Sequence, residues 1–417
     1  MNRSQVARKL KGQICEFSGK LCKGLPKVVG RFVEEAMYGI LSKQSVRVAE
    51  VARALNESIR LIKTENRLCR QLGRRELGEK ITENVIEQGA FHVKKDTLLI
   101  IDTSDVTKKY AKKMEYLAEV RDGSAKTIGH GYWTLRVVGA ELETVKIIPL
   151  YERLYSQDAP DFESENREIL KAVDGVRRRV ERRGIWVMDR GGDRRKLFVP
   201  FLDRKMDFIV RLEGDRYLVY RGRNVLARDL AVSCPMLYRE RIIKEETSGE
   251  KVYNIEVGFR RVRLPGRAEQ LALVVVTGLG SEPLMLLTTL KVVNPAEAGL
   301  FVALSYLRRW QIEETIRFAK QAFRVEDIRL RRYDRLQNMI AIAAAAVHFV
   351  AVWLGEGLKL GILAHHALKA SKRLFLIPNF RYYALADGIK AFLEGSETPF
   401  RGGKALPRAD PQLMLPI

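Results

Sequence analysis

"DTLLIIDTSD" (96–105) is the stretch on which the fold turns. The apolar run Leu98–Ile101 sits between polar ends, the pattern of a short strand buried on both faces. It closes on acid and hydroxyl residues. "IWVMDRGGD" (185–193) repeats that arrangement, and "MDFIVRLEG" (206–214) reads as a further strand. Between them, "GYWTLRVVGAELETVKIIPLYERLY" (131–155) reads as a hairpin, its turn supplied by Gly139, Ala140 and the following acids. "FESENREILKAVDGVRRRVERRG" (162–184) reads as an amphipathic helix stopped by Gly184. Strands alternating with helices, with acids at strand ends, predict an α/β core whose site lies along the carboxyl edge of its sheet.

The flanks differ in texture. Residues 1–92 are basic and helical, and "SVRVAEVARALNESIRLIKTENRLCRQLG" (45–73) carries apolar positions at helical spacing. That stretch fits either a helix-turn-helix or a small bundle, and its charge suits DNA. Residues 93–214 form the first part of the core. A β-rich insertion spans 215–296, and a second part of the core with C-terminal helices spans 297–396. The Pro- and Gly-rich residues 397–417 read as a loosely ordered tail. "LQNMIAIAAAAVHFVAVWLG" (336–355) lacks charge over a membrane-spanning length. Its Gln, Asn, His and many alanines favour a buried helix, so no membrane is expected.

Composition narrows the partner. The 417 residues hold 74 Lys+Arg against 51 Asp+Glu, a formal net charge of +23. Such a balance favours a polyanion, because each phosphate neutralised releases condensed counterions. An anionic membrane surface is the competing reading. Cys15, Cys22, Cys69 and Cys234 are scattered and show no Cys-x-x-Cys spacing, which predicts a reduced, cytoplasmic setting and no disulfide framework. The dispersed histidines argue against zinc. The first 31 residues carry eight Lys/Arg and one acid, Glu16, without the apolar stretch of a signal peptide.

"YLRRWQIEETIRFAK" (306–320) places two glutamates inside a basic stretch. On a continuous helix, Arg309, Glu313, Arg317 and Lys320 fall within about 60° of Tyr306. Glu314 lies about 80° away and reads as a surface ion-pair partner. Glu313 is therefore the candidate chemical acid, with Asp102 and Asp189 as partners. Each aspartate alone could simply cap a turn. Three acids from separate elements can hold two Mg²⁺ ions without Cys or His, the arrangement that cleaves phosphodiesters. A crowd of carboxylates with no cation would disfavour its own charge. The basic stripe would position a DNA backbone.

These residues also carry a resemblance. Tyr306-x2-Arg309-x3-Glu313-x6-Lys320 matches the Tyr-Arg-Glu-Lys signature of bacterial DDE insertion-sequence transposases, the insertion-sequence-four-like family. "IDTSDV" and "MDRGGD" resemble that family's two aspartate motifs, and the likeness spans about residues 96–350. It implies a ribonuclease-H-like mixed-sheet core interrupted by a β-rich insert. It also implies a triad of Asp102, Asp189 and Glu313 holding two Mg²⁺, with Mn²⁺ as substitute. The expected activity is cut-and-paste movement of double-stranded DNA: nicking of terminal inverted repeats, then joining of the 3′-hydroxyls to target DNA. Tyr306, Arg309 and Lys320 would contact end phosphates. Arg317 shares their stripe, and Arg190 would neutralise phosphate or form a structural ion pair. A homodimer in a synaptic complex, nucleoid-associated in a bacterial-type cytoplasm, is expected. The alternatives are a non-catalytic DNA-binding descendant and a stand-alone metal-dependent nuclease.

The sequence departs from the pattern twice. Gly192 follows "DRG" where an aromatic is usual, and no tryptophan lies between Trp186 and Trp310 to hold a flipped base. Tyr217, Tyr220, Tyr238, Tyr253 and Phe259 are the aromatics left for that stacking. Asp105 reads as a turn cap, His130 as an exposed loop residue and Trp310 as a packing residue. "RLRRYDRLQ" (329–337) reads as a solvated face or a DNA-backbone contact.

Overall fold

The computed structural model describes residues 3–394 apart from 122, 124–126, 145, 247–248, 292–293, 364 and 366–381, together with Phe400. The expected tail otherwise lies outside the described residues.

Five helices come first: α1 (Arg3–Leu21), α2 (Lys27–Lys43), α3 (Val48–Leu55), α4 (Leu61–Leu72) and α5 (Leu77–Ala90). Their apolar stripes bury Leu10, Ile14, Phe17, Phe32, Leu55 and Leu72 in one core that continues onto the sheet. The α2–α3 crossing is close because Gly39 lies against Val51, where a Cβ would meet the Val51 Cγ1 at 2.5 Å. Arg67 of α4 binds both Glu35 of α2 and Glu57 of the α3–α4 turn, which fixes α4 on its neighbours.

The sheet contains β1 (Leu98–Thr107), β2 (Ala118–Arg121), β3 (Ile128–Ala140), β4 (Ile147–Tyr155), β5 (Ile185–Met188) and β6 (Phe208–Arg211). β7 (Tyr217–Tyr220) and β8 (Arg223–Leu226) form a separate small hairpin. β9 (Met236–Glu246), β10 (Gly249–Val262), β11 (Leu271–Thr277) and β12 (Leu284–Thr288) complete it. The order is β2-β3-β1-β5-β6-β12-β11-β10-β9, with β4 also on β3. Only β1–β5 and β5–β6 pair in parallel; the other pairs are antiparallel. The fold is thus mixed α/β, and the strands from the β-rich stretch extend the sheet that β1 begins.

One face is covered by α6 (Glu165–Val180) and α7 (Arg195–Asp203), around Leu99, Ile101, Trp186 and Phe208. The Ser164 side chain caps α6 by accepting from the Arg167 amide at 3.2 Å. The short α8 (Ala227–Val232) is a helix within the stretch read as strands. The other face carries α9 (Pro295–Leu307), α10 (Trp310–Ala322), α11 (Tyr333–His348) and α12 (Tyr382–Glu394) against Leu98, Ile100, Val187 and Ile209.

Two readings change in detail. The stretch 306–320 is not one helix: the chain turns at Arg308 and Arg309 between α9 and α10. The Arg308 guanidinium binds the main-chain carbonyls of Glu141 and Thr144 in the β3–β4 turn, which anchors that break. The charge-free run is α11, continued by a π-helical turn at Phe349–Trp353. By length and apolarity it could cross a membrane, but 78% of its apolar window is buried within the fold.

Candidate active site

The strand register builds the site. Leu98, Leu99 and Ile100 of β1 pair in parallel with Ile185, Trp186 and Val187 of β5. The same register carried two residues further sets Asp102 beside Asp189, both just past the apolar stretch and both on the face of Ile100 and Val187. β5 ends at Met188 with Asp189 capping it, as its sequence suggested, because the Asp189 carboxylate accepts from the Gly191 amide at 2.9 Å and turns the chain into a 3-10 turn. Gly192 is required there: a Cβ would lie 2.7 Å from the Met188 Cβ.

The third acid arrives from the opposite side. Glu313 sits in the first turn of α10, where a carboxylate is favoured by the helix dipole. Its Oε1 accepts from Arg309 Nη2 at 3.1 Å, the Arg309 side chain being 12% exposed and that of Glu313 49%. The guanidinium also lies 5.7 Å from the ring centre of Tyr306. Tyr306 is buried, and its hydroxyl has no hydrogen-bond partner among the described residues.

Electrostatics tie these groups together. Burial pushes the Asp102 carboxyl up to about 7; Asp189 and Glu313 add to the rise, while Arg309 and Arg136 oppose it. Burial works against the charge of Arg309, yet Tyr306, Asp102, Glu313 and Asp189 outweigh it and raise its pKa. The fold therefore sets Asp102, Asp189, Glu313, Arg309 and Tyr306 within electrostatic reach of one another. Lys320 lies elsewhere on α10, with Nζ 3.5 Å from Asp105 Oδ1 and 3.2 Å from Glu326 Oε1. Arg317 and Arg190 are exposed on α10 and on the turn after Asp189.

A divalent cation suits the chemistry of this donor set, since three carboxylates offer hard oxygen ligands. Among the described residues, no three His, Cys, Asp or Glu side chains are gathered into a metal-holding group. The Glu313 carboxylate instead faces Arg309. Loading would require Glu313 to leave that pair.

Other readings resolve as follows. Asp105 lies mid-strand and buried; it accepts from Thr107 Oγ1 at 2.8 Å and meets Lys320, so it is not a turn cap. His130 is exposed but belongs to β3. Of the candidate stacking aromatics only Tyr217 is exposed, while Tyr220 is held by Arg260 at 3.0 Å. Arg329, Arg331 and Arg332 are exposed, and Arg332 pairs with Asp334. The side chains of Trp310 and Glu314 lie outside those described. The sequence reading missed Arg136 and Glu152, buried charges on β3 and β4.

Residues 151–349 match the model of the family described as the transposase DDE domain. The matched stretch holds Asp189, Glu313 and the Tyr306–Lys320 signature, and begins after Asp102. No curated protein matches the sequence. Among solved structures, a piggyBac transposase synaptic complex with hairpin DNA aligns at a TM-score of 0.47 and 12% identity, covering 94% of this chain and 84% of that chain. The match covers just under half of the chain.

Proposed function

We propose that the chain is a cut-and-paste transposase with a ribonuclease-H-like core, using Asp102, Asp189 and Glu313 to cleave transposon ends and join their 3′-hydroxyls to target DNA. The observation that carries this reading is the placement of Asp102, mid-strand in β1 and not at a strand end as its sequence suggested, beside Asp189 just past the end of the parallel neighbour β5, with Glu313 brought toward them from α10. The order β4-β3-β1-β5-β6, antiparallel on one side of β1 and parallel on the other, supports the ribonuclease-H-like assignment. The Tyr-Arg-Glu-Lys spacing supports the insertion-sequence-four-like placement.

The residues divide the work. Asp102, Asp189 and Glu313 would hold two Mg²⁺ or Mn²⁺ ions, which supply Lewis-acid activation of the attacking and leaving oxygens. Tyr306 buttresses Arg309 from below, its ring beneath the guanidinium. Arg309, drawn off Glu313 by a DNA phosphate, would fix the end beside the acids. Lys320, Arg317 and Arg190 extend the cationic surface, and α1–α5 would read the terminal inverted repeats. Two copies would pair the two ends in a homodimeric synaptic complex, in a bacterial-type cytoplasm.

The test is cleavage and joining of a labelled duplex carrying the element's end, with Mg²⁺, by the intact protein and by Glu313→Gln. Cleavage and joining that vanish in the variant support the reading. Binding without nicking in Mg²⁺ or Mn²⁺ makes the chain a non-catalytic DNA binder. Cutting without end preference or joining makes it a nuclease.

A further inference from the structure

A row of buried charge runs away from Asp102 through the sheet. Antiparallel register sets Asp102 opposite Arg136, and Arg136 opposite Glu152. Directly opposed residues share a face with Cβ atoms about 4.5–5.5 Å apart. Acid, base and acid thus lie side by side across β1, β3 and β4. Arg136 is 2% exposed and Glu152 9%. Arg136 Nη2 donates to Glu152 Oε1, while Nε and Nη1 have no hydrogen-bond partner among the described residues. A cavity of about 20 Å³, lined by Arg136, Glu152, Thr315 and Ala319 among others, has room for one water.

As a purely structural ion pair this is a poor choice. Taking each ion out of water costs several kcal/mol (on the order of that per group), and well-packed apolar residues in its place are often neutral or stabilising. Two guanidinium nitrogens without partners add to the cost. Arg136 has carboxylates on both sides, and only Asp102 belongs to the candidate active site.

We propose that Arg136 is a positioning residue for Asp102: anchored from behind by Glu152, its guanidinium holds the Asp102 carboxylate opposite it across β1 and β3 by charge, without a direct hydrogen bond. The proposal rests on Asp102 being a catalytic acid. Glu152 serves by holding Arg136 in register, and the small cavity lets one water satisfy a remaining N–H.

The experiment uses the full chain on the labelled DNA end, comparing the intact protein with Arg136→Lys, Glu152→Gln, the apolar double variant Arg136→Met/Glu152→Leu, and Asp102→Asn. The double variant removes both charges of the pair at once, so neither Arg136 nor Glu152 is left buried without the other. It should keep the melting temperature and DNA-end affinity of the intact protein yet cleave at least ~10-fold more slowly, since about 1 Å of misplacement can cost 10²-fold. Arg136→Lys should recover most of the rate. The defect should be smaller in Mn²⁺ than in Mg²⁺, because Mg²⁺ demands near-ideal octahedral geometry. The EPR spectrum of Mn²⁺ on the DNA-free protein should also change in the double variant, which a role in the core alone would not produce. Should the double variant fail to fold, Arg136→Lys and Glu152→Gln decide: rates that follow melting temperature overturn the proposal. Wild-type cleavage and an unchanged spectrum in the double variant overturn it as well. If the intact protein does not cleave, or Asp102→Asn cleaves normally, the catalytic reading of the site falls instead, and this proposal with it.

Discussion

Replacing Arg309 with Met should tighten divalent-ion binding by the DNA-free protein. The guanidinium sits 3.1 Å from the Glu313 carboxylate and is felt by Asp102 and Asp189. It is the cation that these acids use in the absence of metal. A unit charge ~4 Å away carries about 4 kcal/mol at an effective dielectric near 20. Glu313 is half exposed, and exposed pairs retain only about 1 kcal/mol or less. An intermediate figure of roughly 1–2 kcal/mol follows, about tenfold in a dissociation constant. Met keeps an unbranched apolar stem over Tyr306, so the local packing survives. Calorimetric or EPR titration with Mn²⁺ should therefore show ~10-fold tighter binding in Arg309→Met and near-unchanged binding in Arg309→Lys. DNA should reproduce the effect in the intact protein, because a phosphate competes for the guanidinium. By reciprocity, Mn²⁺ should then strengthen end binding by the same factor. That coupling should shrink by about tenfold in Arg309→Met. Equal or weaker Mn²⁺ binding by a variant with unchanged melting temperature would refute the idea that Arg309 stands in for the ion.

The remaining predictions concern single groups. Asp102 titrates near 7 in the fold against an ordinary value of 3.8, so the folded state holds more protons between those limits. Its contribution to metal-free stability is present at low pH and lost as pH rises through about 4 to 7, up to about 4 kcal/mol in all. Asp102→Asn should accordingly raise the melting temperature at pH 8 in EDTA and leave it unchanged near pH 4; the same gain at both values would refute this. His348 has the opposite sign: burial holds its ring down to about 4, so its contribution is lost as pH falls from about 6.5. A calorimetric pH series on His348→Gln should be flatter between pH 4 and 6.5. Gly39→Ala should lower stability by about 1–3 kcal/mol, measured by denaturant unfolding, since its Cβ would approach the Val51 Cα at 2.9 Å. Arg190→Ala or Arg317→Ala should weaken end binding and reduce the slope of log K against log[salt] by about one each.

How much of this could be read beforehand depended on distance along the chain. β1, β5 and α6 were legible because their patterns are local: an unbroken apolar run, and a periodic stripe after Ser164. The end of β1 was not: the strand runs on through Asp102 to Thr107, carried by its pairing with β3, which local sequence does not reveal. The break at Arg308 was hidden for a related reason. "LRRW" contains neither Gly nor Pro, and at the break Arg308 binds a pair of carbonyls in the β3–β4 turn, reached only in the folded chain. Arg309 and Glu313 still meet, because Arg309 keeps helical angles at the start of α10.

Arg136 and Glu152 show the limit most clearly. In a hairpin read alone, alternating charged residues belong to the solvent face. Here that face is closed by α5, α10 and α11, brought from both sides of the hairpin in sequence, and they bury both charges. The proximity of Asp102 to Asp189 has the same character. Each is visible as an acid after an apolar run, but only the parallel β1–β5 register makes them neighbours. Chemistry at this site is therefore a property of topology as much as of residue type. Two acids come from the parallel pair β1–β5, at one of the places where the sheet changes from antiparallel to parallel. The third comes from a helix start that a distant turn holds in place. A substitution in the β3–β4 turn could thus disturb Glu313 without touching any acid.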